Sequence, residues 1–274
     1  MKKKNKSIIS LEIFIIILIL LLYLILILNK KYNSEQNIFV LTVDDIKLST
    51  SQDISNTELV VELLQKHNVS ATFFAIPSEM KEYSFPDKNK NNKDSITIEI
   101  AQHGYDHYNE KLDSYKEFKG LSINESKKLI IEGKIALEYY GYNVAGFRAP
   151  CLYLDKDLIP FLRENYEYDS SFLLPNNKFS IPILLDDPTQ FVCSTNGCNK
   201  LWLSIRKKWL FFIMNINDLF NNPNVLLMHS QGMTKLMQDE NGRAFLNAIF
   251  TEINKRNYNK MTMQEYNKIR KEVQ

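Results

Sequence analysis

The sequence predicts an α/β domain built on a mainly parallel sheet, and three observations carry that prediction. Short apolar runs with strand character alternate with segments of helical spacing. Four of the apolar runs lead into residues that carry chemistry: Asp44 and Asp45, His103 and His107, Arg148, and His229. No internal repeat or second composition regime interrupts the chain, so residues 37–274 read as one domain. In parallel α/β sheets, ligands gather at the carboxyl ends of the strands. All four sets fall there.

The elements follow in order. Residues 1–7 carry Lys2, Lys3, Lys4 and Lys6, and between Ile8 and Leu28 the only charged residue is Glu12. As a helix, 8–28 would span about 31 Å, the thickness of a bilayer's hydrocarbon core. The lysine flank then predicts a single-pass signal anchor in the cell membrane, with the N-terminus cytoplasmic and residues 32–274 extracytoplasmic. The absence of small residues near its end argues against a cleaved signal peptide. Residues 29–36 form a polar tether. Ile38–Val43 is a buried strand running into Asp44-Asp45. Asn56–His67 has helical spacing, with Asp53 or Ser55 available as its cap. Ala71–Ile76 is a second buried strand, and the lysine- and asparagine-rich run 87–94 is a solvated loop.

A third strand at Ile96–Ile100 delivers Gln102-His103-Gly104-Tyr105-Asp106-His107, which holds two of the chain's four histidines. Two imidazoles four residues apart can share a divalent ion, leaving room for a carboxylate and a water. Beyond them come an amphipathic helix at about Asn124–Tyr140, a strand at Val144–Phe147 ending in Arg148-Ala149-Pro150, and a helical stretch at Asp155–Asn165. Ile181–Leu185 reads as a strand leading to Asp186-Asp187, and Trp202–Phe220 as a core helix or strand. Val225–Met228 is a buried strand ending at His229, followed by a helix at about Ala244–Arg256.

The composition is 45% apolar and 24% charged, ordinary for a globular protein, and a net charge of +2 is too small to indicate nucleic acid as a partner. Cys193 and Cys198 flank a turn-like tetrapeptide and can close a small loop, which leaves Cys151 over; no Cys-x-x-Cys pair exists for a zinc site. His67, at the end of a surface helix, matches no motif.

Thr42-Val43-Asp44-Asp45, His103-Gly104-Tyr105-Asp106-His107, Arg148-Ala149-Pro150 and Leu226-Leu227-Met228-His229, in that order, resemble the motifs of the polysaccharide deacetylase (NodB-homology) superfamily, in a divergent branch. The resemblance covers roughly residues 38–265. It implies a distorted (β/α) barrel and a divalent metal held by Asp45, His103 and His107, Zn²⁺ first, with Co²⁺, Ni²⁺ or Mn²⁺ as alternatives. It also implies Asp44 as catalytic base, Arg148 pairing with that base, His229 as general acid and the backbone N–H of Cys151 as oxyanion donor. Two imidazoles and one carboxylate would leave an open position for an acidified water.

The chain departs from the pattern in three ways. Val43 and Ile46 stand where the family has Phe and Gly. Gly104 replaces a small hydroxyl residue and removes a side-chain hydrogen bond. The family's Asp-Trp motif has no clear counterpart, with Asp186-Asp187 as the substitute to test. The expectation is a membrane-anchored, extracytoplasmic hydrolase that deacetylates an N-acetylated cell-surface glycan. The alternatives are a non-catalytic carbohydrate-binding domain on the same fold and an amidohydrolase acting on a non-glycan amide.

Overall fold

A computed structural model describes residues 38–87, 96–172, 181, 193–194, 197–219 and 222–272. Six parallel strands form the main path of the sheet: β1 (Ile38–Ile46), β2 (Ala71–Ala75), β3 (Ile98–His103), β4 (Gly146–Arg148), β5 (Tyr168–Asp169) and β8 (Asn224–His229), in spatial order β5-β4-β3-β2-β1-β8. Strand β9 (Asn259–Met261) pairs with the start of β1. Between β5 and β8 in sequence, β6 (Cys193–Ser194) and β7 (Gly197–Cys198) make a separate antiparallel ribbon. Among the described residues the sheet is an open path, a half-barrel that fits the distorted (β/α) barrel implied by the resemblance. Its strands are nearly continuous apolar runs because they are covered on both faces, the usual state of a parallel strand. Ile98–His103 is buried at every position, although the sequence ahead of it alternates.

Helices cover the outer face: α1 (Ser51–His67), α2 (Ile123–Tyr139), α3 (Ile159–Asn165), α4 (Lys200–Leu219), α5 (Ser230–Gln238) and α6 (Glu240–Lys255), with α7 (Met263–Glu272) last. The first begins earlier than its periodicity indicates. Thr50, not Asp53 or Ser55, is the N-cap, and Asp53 completes a capping box with it. Ser122 and Glu125 make the same box for α2. Helix α4 is less of a core element than expected. It buries Leu203, Leu210 and Met214 and exposes Leu201, Trp202, Ile205, Trp209 and Phe212. His67, which matches no motif, stacks its ring on Phe250 at 5.2 Å and lies 3.0 Å from Asn247 Oδ1.

The concave face is stratified, which follows from side chains alternating along each strand. At one end, the buried Glu99 accepts from Thr72 Oγ1 (2.7 Å), Tyr168 Oη (2.7 Å) and the backbone N–H of Gln264 in the first turn of α7 (2.9 Å). Burial pushes its carboxyl above the usual range, and these donors pull against that shift. The middle holds an apolar cluster that includes Val40, Phe74, Ala101, Val225 and Met263. At the carboxyl ends of the strands come Asp44, His103, Arg148 and His229.

The expected membrane placement is corrected. No helix among the described residues is long and apolar enough to cross a membrane. Residues 8–28 themselves, the tether 29–36, most of the 87–94 loop and Asp186-Asp187 lie outside the described residues, as does all but Ile181 of the strand expected at 181–185. Cys198 is disulfide-bonded and faces Cys193 in the ribbon register, while Cys151 is free.

Candidate metal centre and catalytic site

Two adjacent aspartates on a regular strand would point to opposite faces. The β1–β2 register shifts between Val43 and Ile46, and Asp45 takes a left-handed conformation (φ 61°). This bulge turns Asp45 toward the end of the strand while Asp44 stays on the concave face. Ser230, at the start of α5, donates to the Asp45 carbonyl at 2.8 Å and fixes the turn.

Asp45 Oδ1 lies 3.6 Å from His103 Nε2 and 3.3 Å from His107 Nε2. One ligand atom from each of the three residues falls within 4.8 Å of the other two. Ligands about 2.0–2.1 Å from a tetrahedral ion would be about 3.3 Å apart, so the spacing suits a divalent metal. Asp45 Oδ1 is also a buried acceptor with no hydrogen-bond partner, a costly state unless a cation completes it. His103 Nδ1 lies 3.1 Å from the Arg148 carbonyl, which can only accept. The ring proton is therefore on Nδ1, and the Nε2 lone pair faces Asp45. Burial pushes the His103 pKa down despite the nearby aspartates, which favours the neutral ring a metal requires.

Asp44 is buried and ion-paired to Arg148 Nη1. Burial alone would raise its pKa. The Arg148 guanidinium, with His103 and His229 beside it, outweighs that and holds the carboxyl below its ordinary range. Arg148 is fully buried. It also donates to Thr42 Oγ1 (3.0 Å), Ser170 Oγ (3.0 Å) and the Ser170 carbonyl (3.3 Å), and its guanidinium lies 3.8 Å from the centre of the Phe74 ring. His229 is half-buried and directly across from Asp44 in the β1–β8 register. Cys151 is left-handed (φ 53°) in the turn after Pro150. The N–H groups of Leu152 and Tyr153 close that turn, leaving the Cys151 N–H outside its ladder. Burial, with the Asp45 carboxylate adding to it, raises the Cys151 thiol, so this residue borders the same cluster.

The sequence reading missed two groups. The first follows β5. Asp169 Oδ1 accepts from the hydroxyl and N–H of Ser171, whose Oγ in turn accepts from Ala149 N (2.9 Å). With Ser170, which accepts from the Arg148 guanidinium, this stretch holds the Arg148 side chain and the Ala149 N–H in place. Burial raises Asp169 to about 6, against its bonds to Ser171. Between about pH 4 and 6 the native state therefore binds more protons than the unfolded chain, and stability should fall as pH rises through that window. Asp169→Asn should flatten that slope, by about 3 kcal/mol in total. Urea unfolding at several pH values checks this, and an unchanged slope would remove Asp169 as its source.

The second missed residue is Glu117, fully buried, with both carboxyl oxygens 3.0 Å from the N–H of Tyr105. Burial raises it to about 8, and the backbone N–H groups of residues 105–107 act against that rise. It fills the space beside Gly104 (φ 64°), where an added Cβ would overlap Glu117 Oε2 and sit 2.6 Å from Pro150 Cγ. The only advance signal was indirect, in that a glycine in the hydroxyl position leaves the turn needing another partner.

The half-barrel fold and the strand-end site define a class, the NodB-type deacetylases, and comparison with known proteins agrees. The family model for polysaccharide deacetylase matches residues 31–166. The chain belongs to the polysaccharide deacetylase superfamily, in a divergent branch. A candidate polysaccharide deacetylase from Mycobacterium smegmatis is 17% identical with a TM-score of 0.57, over 88% of this chain and 93% of that one. The Bc1960 peptidoglycan N-acetylglucosamine deacetylase is 16% identical with a TM-score of 0.52, over 85% and 89%. BA3943, a carbohydrate esterase family 4 pseudoenzyme from Bacillus anthracis, is 15% identical with a TM-score of 0.50, over 85% and 66%. At these identities the likeness is one of fold. No curated protein matches the chain.

Proposed function

We propose that this protein is a metal-dependent hydrolase that removes acetyl groups from an N-acetylated polysaccharide. The observation that carries the reading is the Asp45–His103–His107 cluster, with its unpartnered Asp45 oxygen, beside the buried Asp44–Arg148 pair. A divalent metal in that cluster would acidify a water and polarise the acyl carbonyl. Imidazole and carboxylate donors suit Zn²⁺ first, with Co²⁺, Ni²⁺ and Mn²⁺ as alternatives.

The chain's own residues do the rest. Asp44 takes a proton from the attacking water as its oxygen bonds to the acyl carbon, and Arg148 keeps Asp44 ionised and aimed. The Cys151 N–H donates to the oxygen of the tetrahedral centre. His229 gives a proton to the amine nitrogen as the carbon–nitrogen bond breaks. The named activity of the Bc1960 relative, on peptidoglycan N-acetylglucosamine, supports an N-acetylated cell-wall glycan as the substrate class. A purely carbohydrate-binding domain would have no chemical use for a buried base–arginine pair beside a ligand cluster.

The purified full chain should carry about one equivalent of divalent metal and release acetate from N-acetylglucosamine oligomers or peptidoglycan. The double variant His103→Ala, His107→Ala should lose both. Metal retained at full stoichiometry in that variant would end the site assignment. Release of an acid other than acetate would move the activity to another amide.

A further inference from the structure

Gly104 lies between the two histidines, and its hydrogen atom points at a space that another part of the chain has filled. Glu117, thirteen residues on, brings its carboxyl group there. Both oxygens reach the Tyr105 N–H at 3.0 Å.

The surroundings hold that carboxyl in place. Asn109 Nδ2 donates to the carbonyls of Glu117 (2.9 Å) and Lys119 (2.8 Å), so the backbone that carries Glu117 is pinned. On the other side of the turn, Gln102 Nε2 donates to the Gly104 carbonyl (2.8 Å), and Ser78 N to the Tyr105 carbonyl (3.0 Å). No lysine or arginine salt bridge reaches Glu117 among the described residues, and its side chain is fully buried. Burying a carboxyl this way costs several kcal/mol. His107 adds a left-handed conformation at φ 64°, worth roughly 1–2 kcal/mol. Both costs fall on the one turn that presents His107 Nε2 to Asp45.

We propose that Glu117 is the positioning residue of the metal centre: bonded to the Tyr105 N–H two residues before His107, it fixes the turn that holds His107 in its left-handed conformation and so sets the affinity of the site for a divalent cation. This rests on the metal-binding reading above. Without the carboxyl, His107 can relax to an ordinary backbone conformation and swing Nε2 away from Asp45, leaving two ligands.

The test is a Co²⁺ titration of the full chain, following both the dissociation constant, by chelator competition, and the visible absorption bands that report ligand number. Glu117→Gln keeps the size and one acceptor but turns a donor toward the Tyr105 N–H. It should weaken Co²⁺ binding about 10–100-fold, the usual loss on removing such a partner, and alter the bands. Glu117→Ala should go further where it folds. In a His107→Ala background, Glu117→Gln should have no added effect on affinity, because the residue acts through His107. A Glu117→Gln protein with wild-type affinity and spectrum, whatever its stability, would overturn the inference. So would a penalty that simply adds to that of His107→Ala. Wild-type protein that takes up no cobalt would instead overturn the metal-binding reading, and this inference with it.

Discussion

Asp44→Asn is expected to lower kcat for acetate release about 10²–10⁴-fold, the usual contribution of a positioned base, without changing metal stoichiometry. Asn cannot take up the proton that Asp44 would receive. The ligand cluster of Asp45, His103 and His107 does not require Asp44, whose Oδ2 stands 3.8 Å from His103 Nε2. Metal analysis and steady-state kinetics on the same preparation separate the two roles. Loss of metal along with activity would make Asp44 a ligand. Full activity with metal in place would put the base elsewhere.

Arg148→Met should lower the unfolding free energy by about 3–5 kcal/mol, because it leaves Asp44 as a buried charge with its main partner gone. The guanidinium's own bonds to Thr42 and Ser170 disappear with it, and those acceptors lose a donor. Adding Asp44→Asn to Arg148→Met should recover part of the loss, since the unpaired carboxylate is then removed. Urea unfolding of the two single variants and the double variant gives the coupling. A double variant no more stable than Arg148→Met would assign the loss to packing against Phe74 and the lost Ser170 bonds, not to the ion pair.

The strand ends were legible because buried parallel strands are continuous apolar runs, and a polar residue that closes such a run stands out. Asp44-Asp45, His103, Arg148 and His229 all have that form, and the structure brings them to one end of the sheet. Order along the chain carried the rest, since each motif alone is weak. Less visible was what depends on short or distant elements. The two-residue strand Tyr168–Asp169 is too brief for periodicity, so Ser170 and Ser171 looked like loop residues. The start of α1 was hidden because Ser51–Asn56 is largely polar, although Thr50 and Asp53 did spell a capping box. Glu117 meets the turn it supports only after a twelve-residue excursion that no local pattern predicts. The exposure of Trp202 and Trp209 likewise depends on which face of α4 meets the sheet, and the sequence leaves several faces apolar enough to serve.

The layering of the concave face also determines how a polymer can meet the site. The space beneath the strand ends is filled by Val40, Phe74, Ala101 and Val225, and the far end is closed where Glu99 meets the first turn of α7. Among the described residues the half-barrel is therefore filled beneath the site, which faces outward at the carboxyl ends of the strands. On the proposed reading, a long glycan would lie across the rim, with one pendant group lowered toward Asp44 and the histidines. Such a geometry needs no free chain end: each unit along the strand would be as accessible as the last.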